Sequence, residues 1–159
     1  MTIIEKIRNS IQAVHGDDFG VYYHDEVTLD VMSEKMTFPC AIVQLLTHGN
    51  VVLVNGQVRE VVSAAIFFVD KSEFDFDADD NEEIIDDCKR RAFAWLLALP
   101  MDEWLSLENV ERTQRAYERF DAILTGFGML CRLVELEGVT DCEQPGDDEN
   151  ENENNDNEL

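Results

Sequence analysis

The chain has 159 residues and a formal charge of −23, with 35 acidic side chains against 12 Lys and Arg. Nine of the acids, and no base, follow Thr140, which leaves −14 on the body of the chain. That balance argues against direct binding to DNA, RNA or anionic membrane, whose phosphates recruit clusters of Lys and Arg. It suits solubility, or a basic partner.

The four cysteines, Cys40, Cys88, Cys131 and Cys142, form no C-x-x-C pair and fit no zinc spacing. The first three sit in apolar runs and read as small buried hydrophobes. The N-terminus lacks a signal-peptide hydrophobic stretch. No run approaches the roughly 20 apolar residues of a membrane span. The expectation is a cytoplasmic protein with no membrane or nucleic-acid partner. Residues 1–140 are of ordinary size for one α+β domain. Residues 141–159 read as a disordered acidic tail, too poor in apolar side chains to offset the entropy of ordering.

In chain order, residues 2–14 form an amphipathic helix, with Ile4, Ile7, Ile11 and Val14 on one face. Gly16 is placed to end it in the left-handed conformation. Residues 19–32 read as a half-buried strand, since Val27, Leu29 and Val31 alternate with Thr28, Asp30 and Met32. A loop at residues 33–37 leads to a second strand at 38–46, with Pro39 tolerable at its start. His48, Gly49 and Asn50 read as a break. The best hairpin signal follows: residues 51–54, the turn Asn55-Gly56, and a return arm at 57–69. Asn-Gly suits a type I′ turn, in which both central residues need positive φ. The return arm becomes almost wholly apolar, as a central strand under a covering helix would be.

Residues 80–99 make the clearest long helix. Ile84, Ile85, Cys88, Ala92, Leu96 and Leu99 recur at spacings of three and four. Pro100 ends it. Residues 101–107 read as a short helical turn. Residues 108–119 fit either a charged helix or a strand, and the alternation of Val110, Arg112, Gln114 and Ala116 favours the strand. Residues 120–125 continue that strand or turn out of it. Gly126 and Gly128 allow a bend or bulge. Residues 127–136 form a last strand, with Met129, Cys131 and Leu133 on one face. This order predicts an α+β fold: a mainly antiparallel β-sheet with a long hairpin, an N-terminal helix and one long helix packed on one face.

Three groups of residues carry candidate chemistry. Asp75, Asp77 and Asp79 have the spacing that opens a calcium loop, with Asp80, Glu82 and Glu83 behind them. Asp80 stands where such a loop needs Gly, and Asp86 where it needs Glu. Helix capping by Asp79 or Asp80, with Glu82 or Glu83 reaching back, is the preferred reading. His15, His24 and His48 lie in three separate loop-like places, and no nucleophile elbow or phosphate loop is present. The sequence therefore assigns no catalytic residue, no cofactor and no metal ligand. Lys89, Arg90, Arg91, Arg112, Arg115 and Arg119 are half of all the bases and suit either scattered ion pairs or one face meeting an acidic neighbour. Trp95 falls off the helix stripe and suits an interface or the cover of a sheet edge. Lys89, Arg90, Arg91 and Trp95 together form the candidate self-assembly surface.

The strand FPCAIVQLL, the hairpin VVLVNGQVREVVSAAIFFV, the helix ending in WLLALP and the closing RFDAILTGFGMLCRLVELE follow one another in a characteristic order. Over residues 3–137 that order resembles the tail-terminator and tail-completion proteins of tailed phages and prophages. The resemblance rests on element order and texture and brings no functional residues with it. It implies a structural role without catalysis: a homo-oligomeric ring, often a hexamer, at the head-proximal end of the tail. Such a ring stops polymerisation of the tail tube and offers a surface to head-connector proteins, and the long hairpin would reach a neighbour. It places the protein in the host cytoplasm and then in the virion tail. The rival reading is an acidic protein-binding module, a DNA mimic that blocks a basic protein. A metal-dependent enzyme would need the carboxylates or histidines to converge.

Overall fold

Thr2 starts the first element. In the computed structural model, which describes residues 1–23, 35–72, 78–119 and 124–137, its hydroxyl accepts the Glu5 N–H while the Glu5 carboxylate accepts the Thr2 N–H. This reciprocal capping box satisfies two donors that a helix N-terminus otherwise leaves open. The helix, α1, runs Ile3–His15. It ends at Gly16, whose φ of 100° and ψ of 154° are open to glycine but lie outside the left-handed helical well expected for it.

Among the described residues five strands form one sheet in the order β1-β2-β3-β5-β4. They are β1 Gly20–Tyr23, β2 Cys40–Val54, β3 Gln57–Lys71, β4 Leu105–Arg119 and β5 Leu124–Glu135. Among the described residues only the β1·β2 pair is parallel. The α+β expectation, with a mainly antiparallel sheet and a long helix on one face, is what the fold shows. β1 covers the start of the strand expected at 19–32; Val27, Leu29 and Val31 lie outside the described residues.

The Asn55-Gly56 turn has φ of 52° and 78° at its two residues, the positive pair a type I′ turn demands. The expected break at His48-Gly49-Asn50 does not occur. β2 passes through these residues, and a register shift between Leu45 and Gly49 absorbs the irregularity as a bulge. Residues 108–119 are strand, but the helical turn expected at 101–107 does not form. A 3-10 turn covers Leu99–Met101, and β4 begins at Leu105. Gly126 and Gly128 do not bend β5, which keeps unbroken register with β3. They are small because the neighbours are close: a Cβ on Gly126 would strike the Phe68 carbonyl, and one on Gly128 the Phe67 ring. The register shifts fall on β4 instead, after Leu107, Val110 and Ala116.

The long helix, α2, runs Ala78–Ala98 and packs with α1 on one face of the sheet. Ala64, Ile66 and Phe68 of β3 point into this layer and meet Ile7, Ile11, Ile85, Ala92 and Trp95. Cys40, Ile42, Val69 and Leu124 form a smaller cluster on the opposite face with Met36. Cys40, Cys88 and Cys131 are buried and free, and burial pushes the thiols of Cys88 and Cys131 up to about 12. They pack as apolar side chains.

Candidate functional site

The end of the sheet at which Leu105 pairs with Glu135, and Val134 with Val61, carries two contrasting structures. The first is a buried polar joint. Trp95 is fully buried, and its indole N–H donates to Ser10 Oγ at 2.9 Å. Ser10 in turn donates to the Asp102 carboxylate. The other Asp102 oxygen accepts the N–H groups of Trp104 at 2.7 Å and Leu105 at 2.9 Å. One carboxylate thus fastens α1, α2 and the start of β4. Beside it Lys6, also buried, reaches Glu135 and Glu137, each at 3.2 Å. Burial alone would lower the Lys6 ammonium; the hydrogen bonds to Glu137 and Glu135 outweigh it and hold the group above its ordinary value.

The second structure is an arm. β5 accompanies β3 only as far as Val61. Beyond it, among the described residues, 51–54 and 57–60 pair with each other alone. A two-stranded ribbon of this kind has no sheet to cover its faces. On the face shared with the helices it presents Val51, Leu53 and Val58, which are 68%, 73% and 48% exposed. Glu60, the cross-strand partner of Val51, lies on that same face and is exposed.

A third feature runs along the outer side of α2 and into the 3-10 turn that follows it. Phe93, Leu97 and Met101 follow at intervals of four and are 44%, 81% and 88% exposed. The inner edge of Phe93 meets Phe127 edge-on, with ring centroids 5.7 Å apart. Arg90 stands one turn before Phe93, exposed, and pairs with Asp87 at 2.6 Å.

These observations correct the expected assembly surface. Trp95 does not belong to it, because it takes the inward place on the stripe Ile85, Cys88, Ala92, Trp95, Leu99. Lys89 and Arg90 are at the surface, each paired with an acid three residues earlier on the same helix. The Lys89 ammonium hydrogen-bonds Asp86 and lowers its carboxyl below the usual range. Arg91 is half-buried, and its backbone carbonyl accepts from His15 Nε2 at 3.1 Å. The wider basic group is divided: Arg115 pairs with Glu82 of α2, while Arg112 faces the open side of the sheet with Gln44, Phe67 and Gln114. That side holds a shallow groove of about 310 Å³.

The carboxylate group resolves in part. Asp79 and Asp80 lie inside the first turn of α2, so neither is its N-cap, and there they complement the helix dipole. Glu82 pairs with Arg115 of β4. Asp75 and Asp77 lie outside the described residues. Among the described residues no group of three or more His, Cys, Asp or Glu side chains could hold a metal ion. Also among them, no helix is long and apolar enough to cross a membrane. His15 rests in an aromatic wall beside Phe19 and Phe68, and His48 sits exposed near the bulge.

No protein-family model matches the chain, and no curated protein sequence matches it.

Proposed function

We propose that this chain is a non-catalytic structural protein of the tail-terminator or tail-completion type, working as a homo-oligomeric ring on the tail of a phage or prophage. Its partners in that reading are the tail tube and the head-connector proteins. The observation that carries it is the arm. A ribbon that leaves the sheet and holds two valines and a leucine in water costs solubility unless another surface covers them. The order of elements, with a helix across a sheet and a long hairpin beside it, is the other support.

The test is the mass of the full chain in solution across a range of concentrations, by sedimentation velocity, with electron microscopy of the particles. Closed rings of uniform size are expected. A strict monomer at high concentration would sink the reading. The charge of −23 favours the acidic binding module as the second reading. A monomer that binds a basic nucleic-acid-binding protein, and is displaced by DNA, would support that one.

A further inference from the structure

Among the described residues the exposed large hydrophobic side chains are not scattered. Apart from Met1 they fall in two places, the arm (Val51, Leu53, Val58) and the ridge along α2 (Phe93, Leu97, Met101). Within one chain neither covers the other: the arm leaves the sheet beyond Val61, while the ridge starts at Phe93, which rests on Phe127, the cross-strand partner of Phe68. Two different apolar patches on one molecule suit a contact in which the first patch of one copy covers the second patch of the next.

Spacing and charge select how they would meet. The arm has two rungs on this face: Leu53 beside Val58, and Val51 beside Glu60. Rungs two residues apart are about 6.8 Å apart along a strand. On α2, Arg90, Phe93 and Leu97 are separated by three and four residues, about 4.5 and 6 Å of rise. Setting the Leu53–Val58 rung on Leu97 therefore brings the Val51–Glu60 rung to Phe93 and Arg90. Glu60 is acidic and Arg90 basic, so the polar ends match as well as the apolar ones. The pair that now occupies Arg90 is an exposed contact within one helix, worth little and easily exchanged.

We infer that the arm of one copy lies along the α2 ridge of another, with Leu53 and Val58 on Leu97 and Glu60 on Arg90. The inference rests on the self-assembly part of the proposed function and names the surface that receives the arm. It uses side chains that are exposed in the single chain, so changing them leaves the fold intact.

The experiment is sedimentation velocity on Leu53→Asp and Leu97→Asp, each in the full chain, alone and mixed. Circular dichroism checks that each remains folded, and the milder Leu53→Ser and Leu97→Ser repeat the test if an Asp variant does not. Either change is expected to weaken self-association about 30-fold or more, the scale of an interface hot spot. Mixing should restore one contact, since Leu53→Asp keeps a ridge and Leu97→Asp keeps an arm, and a heterodimer forms. Glu60→Arg and Arg90→Glu should each weaken assembly, and the chain carrying both should recover. A wild-type oligomer that Leu97→Asp leaves unchanged, or a mixture that stays monomeric, overturns the arm-on-ridge contact alone. A wild-type particle of only two copies that both changes dissolve supports the contact and overturns the ring. A wild-type monomer overturns both.

Discussion

The joint and the arm occupy the same end of one sheet and spend similar side chains in opposite ways. At the joint, Trp95 is closed off from water and its one polar atom is handed on through Ser10 to Asp102. On the arm, Val51, Leu53 and Val58 stand in water on a ribbon that, among the described residues, has no third strand. Burying an aliphatic or aromatic side chain contributes about 1.5–3 kcal/mol relative to leaving it exposed. The joint already has that contribution within a single chain. The arm can gain it only by meeting something else. Stability and assembly are thereby assigned to separate residues, and mutations should sort accordingly.

The largest effect is expected at Trp95→Ala, which leaves a cavity and takes the indole donor away from Ser10 Oγ. It should cost about 3–5 kcal/mol in chemical denaturation. A loss below about 1 kcal/mol would mean the joint does not hold the helices. Next comes Lys6→Ala, which strands Glu135 beside a newly apolar neighbour. The expected cost is about 1.5–3 kcal/mol, the scale of hydrogen bonds to charged groups. Because the folded chain raises the Lys6 pKa, this contribution is full below the ordinary Lys value and fades as pH rises through the folded one. A smaller loss, about 1 kcal/mol, is expected from Thr2→Ala through the capping box. Leu53→Ser should shift the stability of the monomer by less than about 0.5 kcal/mol while changing its association. A large fall in melting temperature there would erase the distinction between the two regions.

A pH titration sharpens the same contrast. Burial lowers the His15 pKa, against the hydrogen bond to the Arg91 carbonyl, which raises it. The neutral ring is the one the fold prefers. Its contribution is present above the ordinary histidine value and is lost as pH falls through the folded pKa. The wild type should therefore lose stability on acidification in a way that His15→Phe does not, measured by thermal melts between neutral and mildly acidic pH. Curves of equal slope would remove His15 as the cause.

Much of this was legible in the residues. The turn at Asn55-Gly56 announces its own geometry, and α2 follows from its apolar spacing. The strand at 108–119 was favoured by alternation and is strand. Trp95 shows where such reading slips. Ile85, Cys88, Ala92, Trp95 and Leu99 already recur at three, four, three and four, so the true stripe was present. Pairing Leu96 with Ile84 displaced it by one residue. The same correction exposes the ridge, since Phe93 and Leu97 are apolar residues off the buried stripe. Thr2-x-x-Glu5 is the local signature of the capping box that starts α1. The joint was not readable: Ser10 and Asp102 are 92 residues apart, Lys6 and Glu135 129, and no local pattern links them. The bulge after Leu45 likewise hides its cause, because residues that would stop an isolated strand are carried by the ladder on either side.

The three register shifts along β4 have a consequence for how copies can join. β4 is one of the two outer strands, and a long flat outer strand is a template for another chain's backbone and so for aggregation. Here the edge changes phase after Leu107, Val110 and Ala116, and exposed Glu108, Glu111, Arg112 and Arg115 line its length. An incoming strand would find only short runs of donors and acceptors in phase, under a fence of charge. Growth along this edge is discouraged, and a contact made there is left to side chains rather than to the ladder.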